Sequence, residues 1–452
     1  MAQAALQGVG TFILSRSKAL RMLTLLLFYF TQGFPVGLFF YAIPAWMAAS
    51  GASTAEVASV VGTAALPWSL KLVNGFIIDR YTFLPMGRRR IWIIGAQALI
   101  VTAFLVGAVL SPDGRDVLLV SALGFCANAA VTFQDVGIDS LAVDIMEEEE
   151  RARAASVMFG AQMFGIAAAT ALGGKLIETF GIGVGLTGAA IVPLAVMLYG
   201  IAIRERGGEK RLPWSAGESH PANRAIQVEA WWPLLQGAFR AIVVPISLLL
   251  LPVLLARAVP WGAFEAFHPE LFQTYAGWSM SDYTSLVSTS ALVSGFVGLV
   301  LFGVMVDRIG SRRSLLIAAG AMAVLLTGMG FARSMWSEGW FLAAFLIAMD
   351  IAGILFLISA VPVCMRLCSP AVAATQFTIY MAFGNFGRPI GAWLAAVTAG
   401  QGHPQWLYWA AGIIASVMVI VIATVPFPDR SSREREVAED LPQGEGIAPR
   451  IN

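Results

Sequence analysis

The chain has 452 residues, of which 58% are hydrophobic and only 13% charged, against roughly a quarter charged in a typical soluble protein. Mean hydropathy is +0.75. Too few polar side chains exist to cover a soluble surface, and a net charge of +1 supplies no basic field for phosphates; a soluble enzyme, a disordered scaffold and a nucleic-acid binder are excluded, and a polytopic membrane protein remains.

A bilayer core about 30 Å thick needs about 20 apolar residues per helix. Twelve runs meet that need, at approximately 20–49, 55–78, 91–110, 117–144, 154–180, 183–203, 242–272, 283–306, 314–332, 339–366, 372–400 and 404–426. The expectation is an all-α membrane protein with 12 transmembrane helices in two six-helix halves, 20–204 and 241–426. The first run is too long for a signal-peptide core and carries Pro35 and Pro44, so it reads as an uncleaved span.

Basic residues set the orientation. Arg16, Lys18 and Arg21 precede the first span; Arg80 and Arg88, Arg89 and Arg90 follow the second; Arg151 and Arg153 follow the fourth. Arg308, Arg312 and Arg313 follow the eighth, Arg366 the tenth, and Arg430, Arg433 and Arg435 the twelfth. The opposite loops hold little beyond Arg115 and Arg333. Segments 1–19 and 427–452, the latter disordered, and the basic central loop 205–240 are therefore expected in the cytoplasm. Within that loop, Trp231 and Trp232 precede Pro233-Leu234-Leu235, a segment suited to the membrane interface. The three cysteines, Cys126, Cys364 and Cys368, make no disulfide framework. Cys364 and Cys368 read as small hydrophobes, and no metal or cofactor is expected.

The halves are related. The second span ends Gly75-Phe-Ile-Ile-Asp79-Arg80, followed by Gly87-Arg88-Arg89-Arg90; the eighth ends Gly303-Val-Met-Val-Asp307-Arg308, followed by Gly310-Ser-Arg312-Arg313. The fifth and eleventh spans open with Ala152-Arg-Ala-Ala155-Ser156 and Ala371-Val-Ala-Ala374-Thr375, and Phe164-Gly165 matches Phe383-Gly384 at the same offset. Parallel repeats with a site at their interface are a transporter architecture.

The Gly-x-x-x-Asp-Arg-x-Gly-x-Arg-Arg loop in each half resembles the signature of the major facilitator superfamily. The first copy departs from it through the insertion Tyr81–Met86. Leu66-Pro67-Trp68-Ser69-Leu70-Lys71, Gln32-Gly33-Phe34-Pro35, Gln134-Asp135-Val136-Gly137-Ile138-Asp139 and Ala374-Thr375-Gln376-Phe377 with Gly387-Arg388 resemble the AmpG-like muropeptide permease branch. The same branch is similar to siderophore importers and acetyl-CoA transporters. The resemblance places Asp79 against the start of the eleventh span and Asp307 against the start of the fifth, as latches of the cytoplasmic gate. Gly75 and Gly303 would let a neighbouring helix come close there. Arg80, Arg88, Arg89, Arg308, Arg312 and Arg313 complete the motif while also anchoring the loops.

Ionisable residues inside a span are costly and mark functional sites. Asp135 and Asp139 share one face of the fourth span, with Asp135 about 13 Å above Asp144; they and Glu265 are the candidates for proton coupling. Lys71 could snorkel or pair with Asp135 or Asp139. Arg257 and Arg388 offer forked donors to a carboxylate or phosphate. Gln32, Gln134, Gln376 and Asn385 could bind a sugar or peptide, or serve as interhelical glue. Glu265 with His268 would form an outer gate, and Asp350 could pair with an arginine.

The sum is a secondary active transporter of the inner membrane, working by alternating access. No ATP-binding loop is present, so proton symport is the expected drive. The resemblance implies import of anhydromuropeptides in cell-wall recycling; an iron-siderophore or another organic anion is the alternative. A small anionic solute, protons and the lipid bilayer are the expected partners of a monomer. A membrane enzyme is disfavoured because His220, His268 and His403 are far apart in sequence, and a channel has no need of a duplicated gate.

Overall fold

The computed structural model describes residues 12–146, 148–225, 232, 236, 239–240, 243–367 and 373–428. Among the described residues the fold is helical without strands, the one extended contact being an isolated bridge between Ile13 and Arg204. The long helices are α1 (Lys18–Ala49), α2 (Thr54–Arg80), α3 (Arg90–Leu110), α4 (Val117–Ile145), α5 (Glu148–Phe180) and α6 (Ile182–Ala202). After a short turn of helix, Pro221–Ala225, come α7 (Pro245–Tyr275), α8 (Met280–Val297), α9 (Ser311–Phe331), α10 (Gly339–Leu367), α11 (Ala373–Asn385), α12 (Gly387–Val397) and α13 (Pro404–Thr424). A π turn and the segment Gly303–Ile309 prolong α8.

Among the described residues, nine helices are long and apolar enough to cross a bilayer: α1, α3, α4, α6, α7, α8, α9, α10 and α13. Their outer faces expose large apolar side chains such as Val109, Leu118 and Phe331, a surface suited to lipid. The more polar α2 and α5 and the short α11 and α12 pack differently. α2 packs on α7, α11 and α12, and α5 packs on α8, so these helices face protein across the middle of the molecule.

Local chemistry sets several boundaries. Ser53 and Glu56 form a capping box at the start of α2, and Ser279 and Asp282 form the same device at α8, satisfying backbone N–H groups that a helix start leaves unpaired. Pro389 explains the break between α11 and α12. It lacks an N–H and its ring collides with the carbonyl four residues back, so the helix restarts at Gly387 and sets Arg388 in its first turn.

Helix pairings repeat along the chain. α1 packs on α5, α2 on α4 and α3 on α6; later, α7 packs on α12, α8 on α10 and α9 on α13. The first pairing in each series is made by backbone meeting backbone. A Cβ on Gly165 would lie 2.0 Å from the Phe30 carbonyl oxygen, and one on Gly33 would lie 2.3 Å from the Ile166 nitrogen. A Cβ on Gly262 would lie 1.9 Å from the carbonyl oxygen of Arg388, and one on Gly391 would lie 1.9 Å from that of Val259. Among the described residues the loop-motif glycines make no such close approach: a Cβ on Gly75 would meet Val136, at 3.9 Å, and one on Gly303 would meet none of them within 4 Å.

The loop between α6 and α7 begins as folded protein. The Glu205 carboxylate accepts the backbone N–H groups of Arg88, Arg89 and Arg90 at 2.8, 2.8 and 2.9 Å, capping α3. Arg90 is 1% exposed and does not act as a loose anchor. Its guanidinium donates to the carbonyls of Gly200 and Ile201 at the end of α6 and to those of Lys210 and Arg211. Arg312 does the same in the later series, donating to the carbonyls of Ile422 and Ala423 at the end of α13. One offset relates all three pairs: Arg90 to Arg312, Gly200 to Ile422 and Ile201 to Ala423. The interfacial segment expected at Trp231 and Pro233–Leu235 lies outside the described residues, and Trp232 is exposed. The tail beyond Pro428 also lies outside them.

Gly391→Ala is expected to cost about 1–3 kcal/mol, as overpacking does, seen as a lower unfolding temperature in detergent. Gly303→Ala, with open space around it, is expected to leave that temperature unchanged.

Candidate functional site

Two buried clusters of charge occupy the interior. In the first, the Lys71 ammonium on α2 lies 3.1 Å from the Asp135 carboxylate on α4, with side-chain exposures of 16% and 6%. Asp139, one turn further along α4, is half-buried and accepts a hydrogen bond from the Tyr29 hydroxyl on α1. One cation thus faces two carboxylates. Of the two partners open to Lys71 from sequence, the structure selects Asp135.

The second cluster sits on α7, α8, α10 and α12. The Arg388 guanidinium lies 3.4 Å from the Glu265 carboxylate and over the Phe40 ring of α1, 4.8 Å from its centroid. Glu265 is 1% exposed; among the described residues neither of its oxygens has an aligned hydrogen-bond donor, the Tyr41 hydroxyl being its other polar neighbour. Arg257, one turn below Trp261 on α7, rests its guanidinium on that indole, 4.6 Å from the ring centroid. Among the described residues it forms no ion pair, and its Nε has no partner. Asp350 accepts a hydrogen bond from Ser290 at 2.6 Å, and Arg257 is a charged neighbour of it without direct contact. His268 is buried in an aromatic cage, stacked 4.1 Å from Phe264, with its Nε2 unpaired.

The amides divide. Gln32 accepts from Gln162 at 3.0 Å and has a buried, unpaired Nε2. Asn385 donates to the Trp68 carbonyl at 3.1 Å, tying α11 to α2 across the middle. Gln134 donates to the Phe28 carbonyl at 2.7 Å, and Gln376 to the Leu367 carbonyl and the Tyr380 hydroxyl; both join helices.

Of the gate motif, Arg88 and Arg89 are buried and pair with Asp144 at 3.3 and 3.1 Å. Arg312 caps α13, and Arg308 and Arg313 are exposed. The side chains of Asp79, Arg80 and Asp307 lie outside the described residues, as do those that open α5 and α11. The two latches expected of the aspartates therefore have no described partners. At the opposite end, Glu270 of α7 bonds Thr54 of α2, Gln273 donates to the Ala45 carbonyl at 2.9 Å, and Glu178 accepts the Ser281 N–H at 3.3 Å.

Sequence reasoning missed Tyr29, Trp261, Ser290 and Glu205. Trp261 was the findable one, since its i,i+4 spacing from Arg257 puts both on one helix face. Nothing local marks Tyr29 or Ser290, whose partners lie on other helices. No group of three His, Cys, Asp or Glu side chains suited to a metal occurs among the described residues.

Two outcomes follow from these charges. Lys71→Met leaves Asp135 buried beside Asp139 without a cation, expected to cost about 3–5 kcal/mol, and the double variant with Asp135→Leu should recover most of it; thermal unfolding in detergent reads both. Glu209, in the folded loop, accepts from Asn223 and the Arg206 N–H at 2.7 and 2.9 Å. Burial, then the neighbouring Glu205 charge, push its carboxyl up from 4.5 to about 7. The folded state holds that proton longer than the unfolded chain, so its contribution is complete below pH 4.5 and is lost as pH rises to about 7. Glu209→Gln is expected to raise the unfolding temperature by a few degrees at pH 8 and to change it little at pH 5.

Solved structures of a D-xylose-proton symporter and of the nucleoside transporter NupG share the fold. The first has a TM-score of 0.70 at 14% identity, covering 91% of this chain and 99% of the symporter. The second has a TM-score of 0.67 at 12% identity, covering 89% and 98%. The anhydromuropeptide permease of Escherichia coli (strain K12) is 22% identical over 415 residues, 90% of this chain and 79% of the permease. The folate-biopterin transporter of Synechocystis sp. is 22% identical over 460 residues, 96% and 87% of the two chains. The putative transporter AmpG 3 of Rickettsia prowazekii is 22% identical over 90% of this chain and 95% of its own. The model of the Major Facilitator Superfamily matches residues 25–388 and 246–449. The chain belongs to that superfamily, in its AmpG-like branch, and is a multi-pass membrane transporter of small molecules and not an enzyme.

Proposed function

We propose that this protein imports anhydromuropeptides across the inner membrane by proton symport, as a monomer with both termini in the cytoplasm. The observation that carries the reading is the pair Arg257 and Arg388: among the described residues Arg257 forms no ion pair, with the Asp350 and Glu265 carboxylates acting on it only from a distance, and the ion pair of Arg388 with Glu265 is misaligned. A cation in the membrane that no carboxylate contacts is only partly compensated. An anionic solute would supply the missing charge, and a peptide-bearing sugar carries carboxylates. The relatives named above support the solute class.

In this reading α2, α5 and the α11–α12 pair join the nine apolar helices to make twelve crossings, six in each half. The repeated pairings and the matched arginine caps support that division. Outer bonds such as Glu270 to Thr54 would hold the outward side shut while the halves rock about the site. A solute carboxylate reaching Arg388 would take it from Glu265. Glu265, buried and deprived of its cation, would then need a proton. Asp139, the second carboxylate facing Lys71, supplies another place for one. Each proton moving inward gains about 2.3 kcal/mol per 100 mV of membrane potential.

A second reading has an observation of its own. Each arginine lies on an aromatic face, Arg257 on Trp261 and Arg388 on Phe40, and such a site also suits a flat aromatic anion like folate. Ferric siderophores remain a further alternative.

Labelled anhydromuropeptide, folate and a ferric siderophore would each be offered to proteoliposomes, with and without an inward proton gradient. Muropeptide accumulation that collapses with an uncoupler is expected. Asp139→Asn is expected to lose that accumulation while keeping counterflow; equal loss of both would assign Asp139 to folding or binding. Uptake of folate alone would transfer the assignment to the second reading.

A further inference from the structure

Arg257 stands over the Trp261 ring, and Trp261 has an unusual seat. Its indole presses on α10 at Gly353, where a Cβ would lie 2.1 Å from Cζ2 and 2.4 Å from Cη2. No other residue type leaves room for the ring in that position. One turn before Gly353, Asp350 is held by Ser290 of α8 at 2.6 Å, and Trp261 and Arg257 are its other polar neighbours. Three helices therefore meet around one indole: α7 carries it, α10 provides the gap for it, and α8 orients the carboxylate beside it.

We infer that Trp261 is a positioning residue, seated by Gly353, that holds the Arg257 guanidinium in place for the anionic group of the solute. This rests on the proposed role of Arg257 as an anion site. A long arginine loses much rotamer freedom when it is held in one place, and a flat ring beneath the guanidinium supplies that restraint before the solute arrives. The ring also occupies one face of the guanidinium, leaving the edge N–H donors for a carboxylate. Trp261 acts through Arg257 and need not touch the solute. Its effect should therefore fall on apparent affinity and spare the rate of the conformational step.

The test is uptake of labelled anhydromuropeptide by reconstituted full-length protein, with KM and Vmax measured separately. Trp261→Ala and Gly353→Ala are each expected to raise KM about 3- to 30-fold, the range of a lost cation–π contact, with Vmax largely kept. Trp261→Phe, which keeps an aromatic face, should fall between these and the wild type. Unchanged KM in Trp261→Ala would overturn the inference, as would a fall in Vmax alone. A second readout needs no solute and is taken on variants whose thermal unfolding in detergent matches the wild type. The Arg257 Nε–H resonance, assigned with Arg257→Lys, should carry a ring-current shift in the wild type that is lost in Trp261→Ala. Absence of uptake by the wild type would defeat the proposed solute, and the resonance alone would then decide the positioning role: shift present and lost on substitution sustains it, no shift overturns it.

Discussion

Backbone contact between helices, made at glycine, is the constraint on which the interior depends. Lipid tails are as apolar as the helices they surround, so helices gain little from simply hiding apolar surface from one another. Close packing has to do the work, and α1 against α5 and α7 against α12 achieve it with almost no side chain between them. The α7–α12 contact has a direct consequence for chemistry. Gly262 lies against the backbone of Arg388 itself, three residues from Glu265 in sequence. The glycine that brings the helices together also brings the guanidinium to the carboxylate.

Around that frame the buried charges are compensated unevenly. Lys71 and Asp135 are well paired, and Arg88 and Arg89 share Asp144. Glu205 is satisfied by three backbone N–H groups. Glu265, whose two oxygens lack a hydrogen-bond donor, and Arg257, which forms no ion pair among the described residues, are compensated less fully, and both belong to the second cluster. Structural charges are satisfied by the fold; a charge left short of partners at the centre of a transporter suits a role completed by something that comes and goes. Gly353 of α10 seats the indole of Trp261 within that cluster without adding any charge.

Several elements were legible from sequence for simple reasons. A long apolar run can only be a helix in lipid, because every backbone polar group must be satisfied within it, and nine of the expected spans meet that condition in the structure. The repeat was legible in the duplicated loop motif, and the equal offsets of Arg90 and Arg312 to their helix ends give it a structural meaning. The arginines themselves were only half read. Charge counting treats Arg88, Arg89 and Arg90 as anchors, whereas their backbone and side chains bind Glu205, Asp144 and the end of α6. Partners on distant loops leave no periodic trace.

The amino-acid sequence by itself determined the solvent, the helical class, the duplication of the loop motif and the short set of ionisable residues in the spans. These follow from composition, periodicity and the price of charge in lipid, all of which are local properties. Only the tertiary structure decided which carboxylate holds Lys71, that Asp350 turns to Ser290, that Arg257 rests on Trp261, and that the close glycine contacts fall at Gly33, Gly165, Gly262 and Gly391 and not at Gly75 or Gly303. Each of those depends on which helices are neighbours and how they are rotated. Packing across the bundle sets both, and nothing within a single helix specifies them.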